Sequence, residues 1–386
     1  MSFLRFITPF SIVILLTIPR VLLQSFIVIS LPALINSLQL THLQAKLVTP
    51  TTLIGTMLFL IPAGLIGDRF GPKKTIIYTS IAFFFISIFA AYCNSPTLFL
   101  VLVFLLGITT AFGITQGSTY VADIYPFEMR GRIIGTYSAL ISITFYVGPL
   151  IGGLVAVGGL KGIFLVNLPL LLVGLIFSKI LPPLHKEKKE IVKKEYKNYL
   201  NKSFLSHCII GLLWQGIIAL ISFFPAEFQV YLNLTPIESG ILYSLLSIPF
   251  PIFSPISGWI FDKMGFKIPY AIGYTAFFVA WFLSLYNLYL YALCISSFAL
   301  AYVLPISATA SWGLFNQDHR STANSIYFLL RYVGSLIGNI VAGYILFLDD
   351  TSKDFFNLNF SVAIILAALS LPALFYVCKR SSTREA

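Results

Sequence analysis

One short charged stretch occurs twice in this chain and limits what the chain can fold into. Residues 64–74 read GLIGDRFGPKK and residues 258–267 read GWIFDKMGFK, so Gly64, Asp68, Gly71 and Lys73 have counterparts in Gly258, Asp262, Gly265 and Lys267, each 194 positions later. In both places a long apolar run ends, a carboxylate and cations follow at once, and a second apolar run begins. Glycine lets the backbone turn sharply, the carboxylate suits a helix N-terminus or a cation, and the cations stay at a lipid surface. The pattern predicts two membrane helices joined by a tight turn. Its recurrence in register predicts a duplicated membrane protein.

Composition agrees. Charged residues make up 10% of the 386 residues and hydrophobic ones 58%, where a soluble domain carries about 25% charge. Mean hydropathy is +0.91. That length holds twelve spans of roughly 20 residues each, besides short loops and one linker. The formal charge of +11 follows the positive-inside rule: with both termini placed inside, 20 of the 25 Lys and Arg fall on cytoplasmic segments. Lys46, Lys161 and Lys353 fall outside, and Arg20 and Arg331 within spans. No nucleic-acid partner is expected from such a distribution. Cys93, Cys208, Cys294 and Cys378 lie on different helices at neither metal-ligand nor redox spacing, so they read as packing residues, with no metal and no cofactor expected. The apolar run after Arg5 continues to Leu34, too long for a signal-peptide core, and reads as a retained first helix.

The paired turns resemble the signature turn between helices 2 and 3 of the Major Facilitator Superfamily and its echo between helices 8 and 9. The resemblance covers nearly the whole chain. It implies an all-α membrane protein, with twelve transmembrane helices in two pseudo-symmetric six-helix bundles and alternating access to a central cavity. The expected organisation is an N-terminal bundle over residues 1–181, a cytoplasmic linker over 182–203 with mixed Lys and Glu, and a C-terminal bundle over 204–386. The expected location is the plasma membrane, multi-pass, with both termini cytoplasmic and the chain a monomer in lipid.

Further motifs extend the likeness. Asp123, Arg130 and Arg132 in ADIYPFEMRGR match the family's inner turn between helices 4 and 5. By resemblance, Asp123 would pair with Arg69 and Asp68 would face the N-terminal end of helix 11. Gly64, Asp68, Arg69, Gly71, Lys73, Asp123 and Arg130 would then form one inner gate, echoed by Asp262, Lys263 and Gly265; the alternative is a set of surface charges obeying the positive-inside rule. Gln116 and Gly117 resemble the end of the R-x-x-Q-G motif of proton-coupled members, with Gly113 in place of its arginine. Gly148, Pro149, Gly152 and Gly153 in GPLIGG resemble the antiporter motif, whose leading glycine is Thr144 here, although close helix packing alone would need the same glycines. Arg331, Gly334 and Gly338 resemble helix 11 of the larger drug and proton antiporters.

In this fold helices 1, 4, 7 and 10 line the cavity, which makes Arg20, Gln24, Gln116, Trp214, Gln215 and Trp312 the expected substrate contacts. Arg331 adds to the same positive field, and Glu227, inside a span of the second half, is the coupling candidate. An arginine at mid-bilayer costs about 2.5–3.5 kcal/mol on insertion scales, so Arg20 faces either the cavity or helix carbonyls. The cavity so described is aromatic and net cationic, with Leu23 where exporters of cationic drugs keep a carboxylate, which favours an anionic or neutral solute. The resemblance implies a secondary active transporter of a small drug or metabolite, with proton-coupled export. Two alternatives stay open: an uptake facilitator or symporter for a polar or anionic metabolite, and a non-transporting membrane sensor on the same fold. An enzyme is not expected, because no nucleophile, metal or phosphate-binding constellation is legible. The implied partners are a small-molecule substrate, protons as coupling ion and the lipid bilayer. A cysteine introduced as Glu190→Cys is expected to react with an impermeant reagent from the cytoplasmic face; labelling only from outside would reverse the topology.

Overall fold

The computed structural model describes residues 3–125, 130–182, 201–314, 317–346 and 355–382, and these are helical apart from short connections. The first part of the chain comprises α1 (Phe3–Ile29), α2 (Leu31–Leu38), α3 (His42–Phe70), α4 (Pro72–Ala91), α5 (Pro96–Ile124), α6 (Arg130–Ala156), α7 (Gly159–Leu165) and α8 (Leu168–Phe177). The second comprises α9 (Lys202–Ile221), α10 (Phe224–Tyr231), α11 (Pro236–Ser247), α12 (Pro249–Met264), α13 (Lys267–Leu285), α14 (Tyr289–Gly313), α15 (Gln317–Leu346) and α16 (Phe355–Ser382). Among the described residues, 11 helical stretches are long and apolar enough to cross a membrane, and α6 adds the shorter apolar stretch Val147–Ala156. This is an all-α membrane fold.

Several of the long apolar stretches are broken into two helices, and each such break has a proline just beyond it. α1 gives way to α2 at Ser30 before Pro32, α7 to α8 before Pro169, α9 to α10 before Pro225 and α11 to α12 at Ile248 before Pro249. Proline has no N–H to offer a preceding carbonyl, and its fixed φ suits the first turn of a new helix. The sequence therefore restarts each helix where it ends the last.

The duplication extends to backbone detail. Gln39 (φ 51°) and Asn233 (φ 53°) both end a helical segment in left-handed geometry. Two residues later the next helix opens with a capping box. Thr41 Oγ1 accepts from the Gln44 N–H at 3.3 Å while Gln44 Oε1 accepts from the Thr41 N–H at 3.0 Å. Thr235 and Glu238 repeat the arrangement at 3.3 and 2.8 Å. Two otherwise unpaired helix-start donors are satisfied each time. The signature turn repeats as well: Gly71 (φ 90°) and Gly265 (φ 71°) adopt backbone that disfavours any side chain. Gly71 closes α3 by donating to the Gly67 carbonyl at 2.8 Å and opens α4 by accepting from the Thr75 N–H at 3.2 Å.

Contacts divide the chain into two compact units, Met1–Val192 with Pro225–Ile241, and Lys193–Phe224 with Leu242–Ala386. The segment 225–241 therefore packs with unit 1, although the repeat places its start in the second half. Inside unit 1, α3 and α5 meet backbone to backbone. A methyl added at Gly55 would lie 2.3 Å from the Phe104 carbonyl oxygen, and one at Gly107 2.1 Å from that of Thr52. Gly71→Ala is expected to lower stability by about 1–3 kcal/mol. Gly64→Ala, whose methyl would meet nothing within 4 Å, is not expected to lower it. Thermal melts of the two purified variants in detergent check the difference, and coincident melts would show that the turn tolerates a side chain.

Candidate functional site

In unit 1 the polar centre is Arg20 on α1, with no exposed surface. Its Nη2 donates to Ser80 Oγ on α4 at 2.8 Å, its Nη1 donates to the Leu16 carbonyl one turn back, and the guanidinium lies 5.6 Å from the centre of the Phe83 ring. Nε makes no hydrogen bond among the described residues. The space is provided by α5, where a methyl at Gly113 would lie 2.6 Å from Arg20 Cδ and 2.9 Å from Nη1. One turn on, Gly117 makes room for Tyr137 of α6, whose hydroxyl donates to Thr17 Oγ1 at 3.2 Å. Of the two sequence alternatives, the structure places Arg20 on a helix carbonyl and a hydroxyl rather than on an open cavity. A buried guanidinium needs its donors satisfied, and a neighbouring helix reaches them first.

Gln116 is also enclosed. Its Nε2 donates to the Ala63 carbonyl of α3 at 2.7 Å, and its amide occupies the space over Gly67, immediately before Asp68. Gln116 thus braces the helix that ends in the signature turn. Gln24 is half-buried, and its amide nitrogen is enclosed with no hydrogen-bond partner among the described residues.

Unit 2 reuses the positions with different chemistry. Trp214, the counterpart of Arg20, is fully buried and packs on Tyr274 (4.9 Å) and Phe277 (5.3 Å). These are the counterparts of Ser80 and Phe83, each 194 residues on. The same three positions meet in both units. Beside this cluster, two expected site residues come together: Arg331 Nε donates to Gln215 Oε1 at 3.0 Å, and Nη2 donates to the same oxygen. Arg331 also lies 5.8 Å from the Tyr327 ring centre and 5.4 Å from that of Phe328. Tyr327 shares a 2.6 Å hydrogen bond with Ser307, the counterpart of Gly113. The Trp312 side chain lies outside the described residues.

The expected inner gate is placed only in part, since the side chains of Asp68 and Arg130 also lie outside the described residues. Arg69 and Asp123 are both exposed and share no ion pair among the described residues; Arg69 lies 5.5 Å from the Phe70 ring centre instead. Exposed pairs gain only about 0–1 kcal/mol, so water suffices for both charges. In the second copy Asp262 is exposed and Lys263 lies 4.1 Å from the Trp259 ring centre. Lys73 has a definite partner: its Nζ donates to the Leu181 carbonyl, while Tyr120 donates to the next carbonyl, that of Pro182, at 2.9 Å. A cation and a phenol at unpaired carbonyls near a helix end satisfy groups the helix cannot satisfy itself.

The GPLIGG stretch serves as a seat for the segment 225–241. A methyl at Gly153 would lie 2.4 Å from the Pro236 carbonyl oxygen, and one at Gly240 would lie 2.4 Å from that of Pro149. Gly148 and Gly152 admit α1 in the same way, at Ser25 and Ile29. Gln229 then donates to the Ile29 carbonyl at 2.7 Å, and Glu227 on α10 is fully buried. Reading the sequence missed Gly240, Gln229 and Ser80. Only Gly240 left a signal there, as a glycine two residues beyond the capping glutamate.

Repeated bundles of membrane helices are an architecture that many secondary transporters share. The description Major Facilitator Superfamily matches residues 13–224 and 203–386, and the chain belongs to that superfamily. An uncharacterized MFS-type transporter of Methanocaldococcus jannaschii is 25% identical over 330 residues, covering 80% of this chain and 84% of the relative. A quinolone resistance transporter of Acinetobacter baumannii is 32% identical over 112 residues, where the chain spans only 26% of the relative's length. Among solved structures, a bacterial homolog to the human lysosomal transporter Spinster superimposes with a TM-score of 0.76 at 16% identity, covering 98% of both chains. A D-xylose-proton symporter superimposes with a TM-score of 0.75 at 14% identity, covering 95% of this chain and 96% of its own. These likenesses show the fold.

Gly113→Ala and Arg20→Ala are expected to be coupled. Each alone lowers the melting temperature, but the double variant should be less destabilised than the sum, by about 0.5–3 kcal/mol of interaction, because the methyl occupies space the arginine has vacated. Strict additivity in a double-mutant cycle would show that the two positions do not share one slot.

Proposed function

We propose that this protein is a secondary active transporter that moves a small organic solute, anionic or neutral, across the plasma membrane by alternating access, with proton-coupled export as its direction. The observation that carries the solute class is the Arg331–Gln215 pair. The acceptor for this half-buried guanidinium is a neutral amide and not a carboxylate, and a planar cation with spare donors suits a carboxylate, phosphate or strongly polar oxygen. Gln24, Gln116, Trp214 and Trp312 remain proposed substrate contacts.

Arg20 in this reading acts through helix position, tying α1 to α4 over Gly113. Glu227 is the proposed coupling group, because a fully buried carboxylate in a span is costly to keep without a function. The signature turns, with Asp68, Arg69, Lys73, Asp123 and Arg130, are proposed to gate the cytoplasmic end, and the seat between Pro149, Gly153 and Gly240 the other end. Export draws support from the GPLIGG stretch and from the quinolone resistance relative. Uptake is the second reading, favoured by the fold likeness to a D-xylose-proton symporter.

The test is flux in proteoliposomes against a panel of organic anions, neutral drugs and sugars, with and without a pH gradient. Flux of an anionic or neutral solute driven by the gradient is expected. Arg331→Gln should cut affinity for an anion roughly 10-fold or more, as for the loss of a charge-assisted hydrogen bond, and Glu227→Gln should remove the effect of the gradient. Transport of cations alone, or an Arg331→Gln variant with unchanged affinity, would overturn the assignment.

A further inference from the structure

The duplication gives every buried position of unit 2 a control in unit 1. Several pairs differ in chemistry, as Arg20 and Trp214 do, and one of them places a buried imidazole in unit 2 where unit 1 has an aliphatic side chain. His207 on α9 is buried, with 1% of its surface exposed, and its Nδ1 lies 2.9 Å from the hydroxyl of Tyr270 on α13. Its ring stands edge-on to Phe266 at 5.4 Å, the residue that follows Gly265 in the second signature turn. The counterparts 194 positions earlier are Val13, Ile76 and Pro72, all buried. Packing at this helix contact is therefore met in unit 1 by aliphatic groups alone. Unit 2 carries an imidazole and a phenol there, which the shared fold does not require.

Histidine is the side chain whose charge ordinarily changes between about pH 5 and 8. The other described histidine, His42, is exposed at the start of α3. His207 lies five residues into α9, so roughly 7.5 Å along its axis from Lys202, and its ring touches the exposed α12–α13 turn through Phe266. It is buried, and its ring neighbour Phe266 stands next to the exposed residues 262–265 of that turn. The described titratable groups around the pair are Tyr274 and Lys267 on α13, Tyr327 and Arg331 on α15, Cys378 on α16 and Cys208 on α9 itself. Asp262 and Lys263 of the turn are exposed. None of the described groups against the pair is a carboxylate.

We propose that His207 and Tyr270 form a proton-binding site in unit 2, loaded from water at the α12–α13 turn. In the neutral pair one hydrogen lies between Nδ1 and the phenol oxygen. Adding a proton makes the imidazole a cation in which both nitrogens donate, so Nδ1–H points at the phenol oxygen and the Tyr270 O–H turns to another acceptor. One proton is gained from water, no other bond is made or broken, and the hydrogen bond between α9 and α13 has a fixed direction. With no carboxylate among the described residues to receive the new charge, protonation favours arrangements of α9 and α13 that give His207 more water. Unit 2 so responds to pH whichever solute is carried.

The test is solid-state NMR of the full-length protein in lipid vesicles, labelled with ¹⁵N-histidine and ¹³C-tyrosine, from about pH 4 to about pH 9. The His207 signal is identified by its loss in His207→Gln and, independently, by its through-space correlation with a tyrosine ring. A neutral-to-cationic change within that range is expected, with a midpoint that Tyr270→Phe moves by about half a pH unit or more, the size of a lost hydrogen bond. Tyr270→Phe keeps the ring, so it leaves the packing in place. A His207 signal that holds one protonation state throughout, or a midpoint that Tyr270→Phe leaves where it was, would make the pair a packing feature only.

Discussion

In lipid, every backbone N–H and C=O must be satisfied inside the protein, and the rest of this structure follows from that constraint. It makes the described chain helical, and at several of the breaks a proline begins the next helix. It also removes the hydrophobic drive that would hold helices together in water, leaving close contact to do so. Gly55 against Phe104, Gly107 against Thr52 and Gly153 against Pro236 are places where a single methyl would force two backbones apart. Polar side chains then serve where the helical ladder ends, as Lys73 and Tyr120 do at the carbonyls of Leu181 and Pro182.

Within that scaffold the duplication separates structure from chemistry. Arg20, Ser80 and Phe83 occupy the same three positions as Trp214, Tyr274 and Phe277. The contact is kept while its polarity is exchanged. In unit 1 the polar load is a guanidinium over Gly113. In unit 2 it moves to Arg331 beside Gln215, to Tyr327 on Ser307 and to His207 beside Tyr270. A position filled by an aliphatic residue in one copy and a titratable one in the other is not explained by packing, because packing was already satisfied.

The motifs act through space as much as through charge. GPLIGG matters because Gly153 and the Pro149 carbonyl receive the segment 225–241, and Gly148 and Gly152 receive α1. Gly67, between the charged residues and the rest of α3, is the floor on which the Gln116 amide rests. Of the described charges at this turn, Arg69 and Asp123 are exposed, where pairing adds little, while Lys73 is held by the Leu181 carbonyl.

By itself the sequence determined that the chain is a membrane protein, that it is duplicated at an interval of 194 residues, where its turns lie and which superfamily those turns belong to. These depend on composition, period and local backbone chemistry, which neighbouring residues settle among themselves. From the sequence Arg331 and Gln215 were legible only as separate polar residues of two different spans, because which side chains meet depends on helix rotation. The same holds for Arg20: its cost in lipid was legible, but its partner Ser80 lies 60 residues away on a helix with no polar pattern to announce it. Only the tertiary structure decided that Gly113 makes the slot Arg20 fills, that segment 225–241 packs with unit 1, and that His207 meets Tyr270. The physical reason is common to all three: burial turns a side chain's neighbours into its solvent, and those neighbours come from distant parts of the chain.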